Sequence, residues 1–208
     1  MTARNAQGVS PLSWAAYLQQ PDVVELVRSR RGTPDFHEAC IVGDAEVVRA
    51  GLAHGQDVDQ PAADGFTPLG LAVFFGQPGI AQLLINAGAD LNRRASNPQQ
   101  VAPIHAAVAR NDLATLELLL ARGADPDLPQ AQQIRPLHEA AGAGRMAAAA
   151  LLLLFGADPA AEADPGPETG GRRRPAELAR ARGHAAIAER LEAAAAVPRP
   201  RRALAGRA

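Results

Sequence analysis

Residues 67–92 read TPLGLAVFFGQPGIAQLLINAGADLN, and the reading of this stretch decides the fold. Thr67 is a natural N-cap: its hydroxyl can accept one of the backbone N–H groups that the first turn of a helix leaves open. Pro68 then suits the first helical position, where a missing N–H costs nothing. Gly76 offers the left-handed residue that stops a helix. A second helix is expected around the apolar pair Leu83-Leu84, ending at the turn Gly88-Ala89-Asp90. Within the first helix, Phe74 and Phe75 stand side by side. Helix neighbours point about 100° apart, so one narrow apolar stripe does not absorb both rings.

The same unit recurs along the chain. Leu12, Phe36, Leu69, Ile104, Leu137 and Ala176 align at steps of 24, 33, 35, 33 and 39 residues. Three positions after each stands an alanine: Ala15, Ala39, Ala72, Ala107, Ala140 and Ala179. Seven positions after four of them stands Gly43, Gly76, Gly144 or Gly183, with Gln19 and Asn111 in the remaining two places. Pro11, Pro68, Pro103, Pro136 and Pro175 open the helices, and Ser10 and Thr67 are N-cap candidates. The in-register alanine lets neighbouring helices approach closely. The expected unit is helix, turn, helix and then an extended loop, and a repeat of this period predicts an all-α solenoid of about six units.

At these residues the chain resembles the ankyrin-repeat family. Thr67-Pro68-Leu69, Ala102-Pro103-Ile104-His105-Ala106-Ala107 and Arg135-Pro136-Leu137-His138-Glu139-Ala140-Ala141 are similar to its TPLHxAA helix start. Ala81 to Asn92 is similar to its LLxxGADxN helix exit. The resemblance runs from about Gly8 to Ala195. It implies a stack of helix pairs with β-hairpin or loop fingers projecting from one side, and a binding module rather than a catalyst. One repeat domain is expected over 1–195, with units near 8–32 (an N-terminal cap), 33–64, 65–97, 98–132, 133–170 and 171–195 (a C-terminal cap), and a basic disordered tail over 196–208. There are departures from the pattern. The first unit lacks a finger, Asp35 stands where proline belongs, and Ala102 and Arg135 stand where the family has threonine. The finger at 159–174 is long, and the last unit carries a polar face of Glu177, Arg180, Glu189, Arg190 and Glu192.

Composition narrows the function classes. The 208 residues are 47% hydrophobic and 21% charged, which is a folded, water-compatible profile. Aromatics are only 3%, so the core must be built of alanine and branched aliphatics. The net charge of −1 gives no general attraction to nucleic acid or anionic membrane. All 21 basic residues are arginine, a bias that suggests GC-rich coding and a bacterial source. The single cysteine, Cys40, fits a reducing compartment. The absence of an 18-residue apolar run and of an apolar leader segment makes a cytoplasmic location the expectation.

Chemistry is sparse. His37, His105 and His138 share one column, but packed helices lie about 8–10 Å apart, too far for equivalent residues to share one zinc. The resemblance implies a structural hydrogen-bonding role for them. Gly142 to Ala147 matches GxGxxA, yet it follows a helix rather than a strand. The lack of lysine excludes a Walker A loop. Asp90, Asp125 and Asp158 read as turn residues rather than calcium ligands. No catalytic set, metal or cofactor is expected. Arg172 to Arg174 and the tail leave a nucleic-acid accessory role as the alternative, and an enzyme with an unrecognised site as another.

In this family the inner helices and fingers line a concave face, and the two positions before the turn residue are exposed on it. Here those pairs are Tyr17-Leu18, Ile41-Val42, Phe74-Phe75, Ala109-Arg110, Gly142-Ala143 and Ala181-Arg182. The first three are apolar or nearly so. The expected partner-binding residues are Tyr17, Leu18, Ile41, Val42, Phe66, Phe74, Phe75 and Arg110, against the reading that these side chains are core between repeats. Trp14 either borders the patch or is core. A protein partner is expected, with the chain a monomer or a weak homodimer.

Overall fold

A computed structural model describes residues 5, 8–164, 171 and 173–197. Arg172 and most of the tail expected over 196–208 lie outside the described residues. The helices come in six successive pairs. The pairs are α1 (Pro11–Tyr17) with α2 (Pro21–Arg31), α3 (Phe36–Val42) with α4 (Ala45–Ala53), and α5 (Pro68–Phe74) with α6 (Pro78–Asn86). They continue with α7 (Pro103–Arg110) and α8 (Leu113–Ala121), α9 (Pro136–Gly142) and α10 (Met146–Leu154), and α11 (Pro175–Ala181) and α12 (Ala185–Ala196). Each odd-numbered, inner helix packs on the next inner helix in line, and α4–α6, α8–α10 and α10–α12 pack as an outer row. The architecture is an all-α repeat solenoid.

The aligned columns take the places their chemistry demands. All six in-register alanines are at most 3% exposed, because each sits where one inner helix meets another. Gln19, Gly43, Gly76, Asn111, Gly144 and Gly183 all have positive φ, so the turn is left-handed in every unit whether or not glycine supplies it. At Gly43 the left-handed turn favours glycine, and an added side chain would also push the Gln77 amide aside. A Cβ there would lie 2.5 Å from Gln77 Oε1 of the next unit, on top of the strain of φ +81°.

Several inner-helix starts are capped by side chains. The Ser10 and Thr67 hydroxyls accept from the Ser13 and Gly70 N–H groups. Asp35, the residue that breaks the proline pattern, is itself an N-cap. Its carboxylate accepts from Glu38 N–H at 2.9 Å while Glu38 accepts from Asp35 N–H at 3.0 Å, a reciprocal box that starts the helix one residue late. Where Ala102 and Arg135 replace threonine, the imidazole three residues on takes over. His105 Nδ1 and His138 Nδ1 accept from the Ala102 and Arg135 N–H groups, both at 3.3 Å.

Between units the backbone is tied in two further ways. The fingers are hairpin-like loops, with Ala62 donating to the Phe66 carbonyl and Gln130 to that of Ile134. Each reaches the next through bonds such as Ser96 N–H to Gly65 O and Asp164 N–H to Gln132 O. Among the described residues they form no named strand, only an isolated bridge between Ala163 and Arg173. Asp90, Asp125 and Asp158 do cap their own turns, accepting from residues two further on. Their own N–H groups are bound by the preceding unit: Asp59 to Asp90, Asn92 to Asp125 at 2.8 Å and Asp127 to Asp158 at 2.7 Å. This ladder holds the turns at a fixed rise.

Candidate functional site

The expected face converges on Tyr17, Phe66, Phe74 and Phe75. Tyr17 is the last residue of α1, Phe74 the last of α5 and Phe75 its C-cap, while Phe66 precedes the Thr67 N-cap at the base of a finger. The Tyr17 ring lies 5.9 Å from that of Phe74 and 5.0 Å from that of Phe75. Phe74 and Phe75 meet edge to face at 5.2 Å, and Phe66 lies 6.0 Å from Phe74. These spacings and tilts are the ones aromatic quadrupoles favour. The Tyr17 hydroxyl donates to Asp64 Oδ2 at 2.7 Å, which anchors α1 to the finger before α5. Burial, then the Asp64 hydrogen bond and charge, drive the phenol pKa well above its usual value. The cluster therefore spans the first and third units and passes over the second.

That bridging changes the place of Ile41. It was expected on the open face, but at 3% exposure it belongs to the core on which Tyr17, Val42, Phe66 and Phe75 pack. The reason is position: α3 lies between α1 and α5, whose larger side chains close over it. Val42 is half-buried, and with Phe75, Ala16 and Val24 it lines a cavity of about 380 Å3 at the turn end of the first three units. Phe75 is half-buried and Phe74 is 36% exposed, so of the adjacent pair one ring leans into the stack and the other faces out. Leu18 is 52% exposed.

Arg110 is exposed beside this cluster but it is not a free basic group. Its guanidinium lies over Gly76 and donates to the Phe74 carbonyl at 3.1 Å. The same staple recurs as Gln77 to Ile41 O, Arg145 to Val108 O and Arg182 to Gly142 O. The third to sixth units thus each cap a last-turn carbonyl of the inner helix before them, and the three arginines also suit the helix dipole. The aligned pairs contain Arg110 and Arg182 but not Gln77 or Arg145, and they gave no sign that a side chain would turn back onto the previous helix.

A second concavity of about 360 Å3 lies beside Phe74, between α7, α9 and two fingers, with Val101, His105, Ile134 and Glu139 in its lining. Sequence reading missed Glu139, which looked like an ordinary charged residue in the helix-start motif. Burial pushes its carboxyl up to about 7, only partly offset by Arg145, 4.0 Å away. Burial likewise lowers His105 and His138 to about 4, so both are neutral at pH 7. His138 Nε2 donates to the Arg173 carbonyl at 3.1 Å. The Ile134 and Leu128 carbonyls draw His105 slightly upward, yet neither completes a hydrogen bond to its buried Nε2. These imidazoles organise backbone. Cys40 is fully buried and its thiol is pushed up to about 12 by burial and then by Asp35, which leaves it unreactive. The GxGxxA stretch is the turn between α9 and α10. Among the described residues no three His, Cys, Asp or Glu side chains gather as a metal site, and no helix is long and apolar enough to cross a membrane.

Residues 27–95 match a family model described as ankyrin repeats (3 copies), and residues 104–159 match a second described as ankyrin repeats (many copies). The chain belongs to the ankyrin-repeat family. Its similarity to individual proteins is local. It is 37% identical over 103 residues to an ankyrin repeat-containing protein of Treponema pallidum (strain Nichols), across 49% of this chain and 34% of that one. It is 41% identical over 59 residues to protein phosphatase 1 regulatory subunit 27 of Mus musculus, across 28% of this chain and 38% of the other. It is 32% identical over 111 residues to tyrosine-protein kinase HTK16 of Hydra vulgaris, across 50% of this chain but 14% of the kinase. The chain thus spans well under half the length of each of these relatives. Ankyrin repeats are protein–protein interaction modules, and membership in the family implies protein partners.

Proposed function

We propose that this chain is a non-catalytic adaptor, scaffold or inhibitor that holds a protein partner on the inner-helix face and fingers of its N-terminal half. The observation that carries the reading is the aromatic cluster, with Phe74 and Leu18 outermost and Tyr17, Phe66, Phe75 and Val42 partly open behind them. A soluble fold gains little by leaving such a group uncovered, and apolar patches of this kind mark interaction sites. Each anchor that a partner buries contributes about 1.5–3 kcal/mol. Arg110 fixes the Phe74 backbone from the other side. The name of the phosphatase regulatory subunit is in keeping with a regulatory role for such repeats. The proposal includes one repeat domain over 1–195 with a basic tail, working in the cytoplasm of a bacterium. The buried lone thiol and the T. pallidum relative support that setting.

The test compares capture of cell proteins by the wild-type chain and by Phe74→Ser, with thermal melting of both. A partner retained by the wild type and lost by a variant that melts normally supports the proposal. Equal capture by the two, or a melting loss of several degrees that makes Phe74 core, rejects it.

A further inference from the structure

The cavity beside Phe74 holds a carboxylate that the fold does not use. Its walls include Val101, Ala106, Ala109, Ile134 and the Phe74 ring, and Glu139 stands among them. At about 360 Å3 it falls in the size range of ligand pockets. Among the described residues Glu139 is the one acid that lines it, and no arginine does. The imidazole in the lining, His105, is neutral at pH 7, and its Nδ1 is occupied by the Ala102 N–H.

In the repeat register Glu139 shares a column with Glu38, Leu71, Ala106 and Leu178. Glu38 has a structural task there, since it accepts from Asp35 N–H at 3.0 Å and so starts α3. In α9 the N-cap N–H, that of Arg135, is already taken by His138 Nδ1. Among the described residues Glu139 accepts no hydrogen bond: Arg145 Nη1 lies 4.0 Å from its Oε1, out of reach, and donates to the Val108 carbonyl instead. Arg94 and Arg110, on neighbouring elements, are likewise tied, to Gln100 with the Pro129 carbonyl and to the Phe74 carbonyl. Leucine or alanine, as at the equivalent place in α5, α7 and α11, would leave no charge to desolvate. The carboxyl, raised to about 7 chiefly by burial, is thus a group that packing alone does not call for.

Apolar walls around a single carboxylate suit a cation on an apolar stem. Lysine and arginine side chains have that form, with methylenes that bury well and a charged head that only donates hydrogen bonds. An anion is repelled by Glu139, and a wholly apolar guest would strip water from the carboxylate without pairing it. Gln99 and Gln132, exposed on the two fingers, also line the cavity and offer uncharged donors and acceptors to a main chain carrying such a side chain. Phe74 belongs both to this lining and to the aromatic cluster, so one partner segment can reach both. We propose that a partner held on the aromatic cluster inserts a lysine or arginine side chain into this cavity and pairs its charged head with Glu139. The inference rests on the reading that a protein partner covers Phe74.

The cavity can be tested on the 1–208 chain without a partner, by NMR titration of the Val101, Ala106 and Ile134 methyl groups at about pH 8, where the carboxyl is ionised. The probes are n-butylammonium and n-propylguanidinium, which carry the lysine and arginine heads on their own stems, with n-butanol as the neutral control. The expected result is saturable binding in which at least one cation is about tenfold tighter than the alcohol, the tighter one telling lysine from arginine. Glu139→Gln should remove that advantage, leave the butanol affinity unchanged and melt no lower than the wild type. Cations no tighter than butanol, an advantage that survives Glu139→Gln, or no methyl response to any probe overturns the proposal. In the capture experiment Glu139→Gln should hold the partner about tenfold less tightly, and undiminished capture also overturns it. The two readings fail separately. Equal capture by Phe74→Ser and wild type, with the cation preference intact, removes the partner from the aromatic cluster but leaves the cation site. Capture lost in Phe74→Ser, with no cation preference, strikes the cation site and leaves the partner.

Discussion

Replacing Glu139 by glutamine keeps the shape of the side chain and removes a charge that the fold holds at a cost. The carboxyl is raised from an ordinary 4.5 to about 7, chiefly by burial. At 1.36 kcal/mol per unit, keeping it ionised in the native state costs about 3 kcal/mol. The sign follows from which state binds the proton. Between 4.5 and 7 the folded chain keeps its proton and the unfolded chain has lost it. Stability from this group is therefore greatest in acid, falls as pH rises through this window, and is level above it. The glutamine variant does not titrate. Its advantage over the wild type should be near zero at about pH 4.5 and grow to about 3 kcal/mol by about pH 8. Arg145 keeps its bond to the Val108 carbonyl, so the substitution does not strand a buried cation. Urea midpoints followed by circular dichroism across that range measure the difference directly. A variant no more stable than the wild type at the alkaline end, or an advantage that does not change with pH, would refute the reasoning.

Other perturbations probe different links. His105 and His138, lowered to about 4 from 6.5, behave in the opposite sense. Stability is lost as pH falls below 6.5, by up to about 3 kcal/mol for each, so the Glu139→Gln protein should show a steeper acid transition than the wild type in the same titration. Gln19→Gly relieves a left-handed residue (φ 54°) at an exposed turn and should raise the thermal midpoint by a few degrees, about 1 kcal/mol; no gain would mean the turn is not strained. Arg110→Ala uncovers the Phe74 carbonyl and should cost about 1 kcal/mol by urea unfolding, and a neutral result would show that water replaces the staple.

Most of the fold was legible because the repeat fixes both the buried alanine and the left-handed turn, and each column has one physical job. Gln19 and Asn111 followed the turn column although neither is glycine, since helix geometry and not residue identity sets φ there. Asp35 looked like a defect because the proline pattern was read without the reciprocal partner Glu38. The rungs from Asp59, Asn92 and Asp127 were invisible for a similar reason: a turn aspartate advertises its local bond, not the one its N–H receives from the unit before. At the candidate site, exposure was inferred column by column. That works for Leu18 and Phe74 but misplaces Ile41, because burial at one unit depends on the bulk its two neighbours bring. Tyr17 and Phe75 are large enough to meet across α3, and no single-column argument contains that distance.

The proposed function depends most heavily on Phe74 facing a partner. Site-specific photo-crosslinking in the native cell tests that contact without changing the rest of the surface, with a photoreactive phenylalanine analogue at Phe74 and, as control, at Leu154 on the outer row. A discrete crosslinked protein from position 74 and none from 154 is the predicted result. The same products from both positions, or none from position 74 while the chain is folded and abundant, would contradict it.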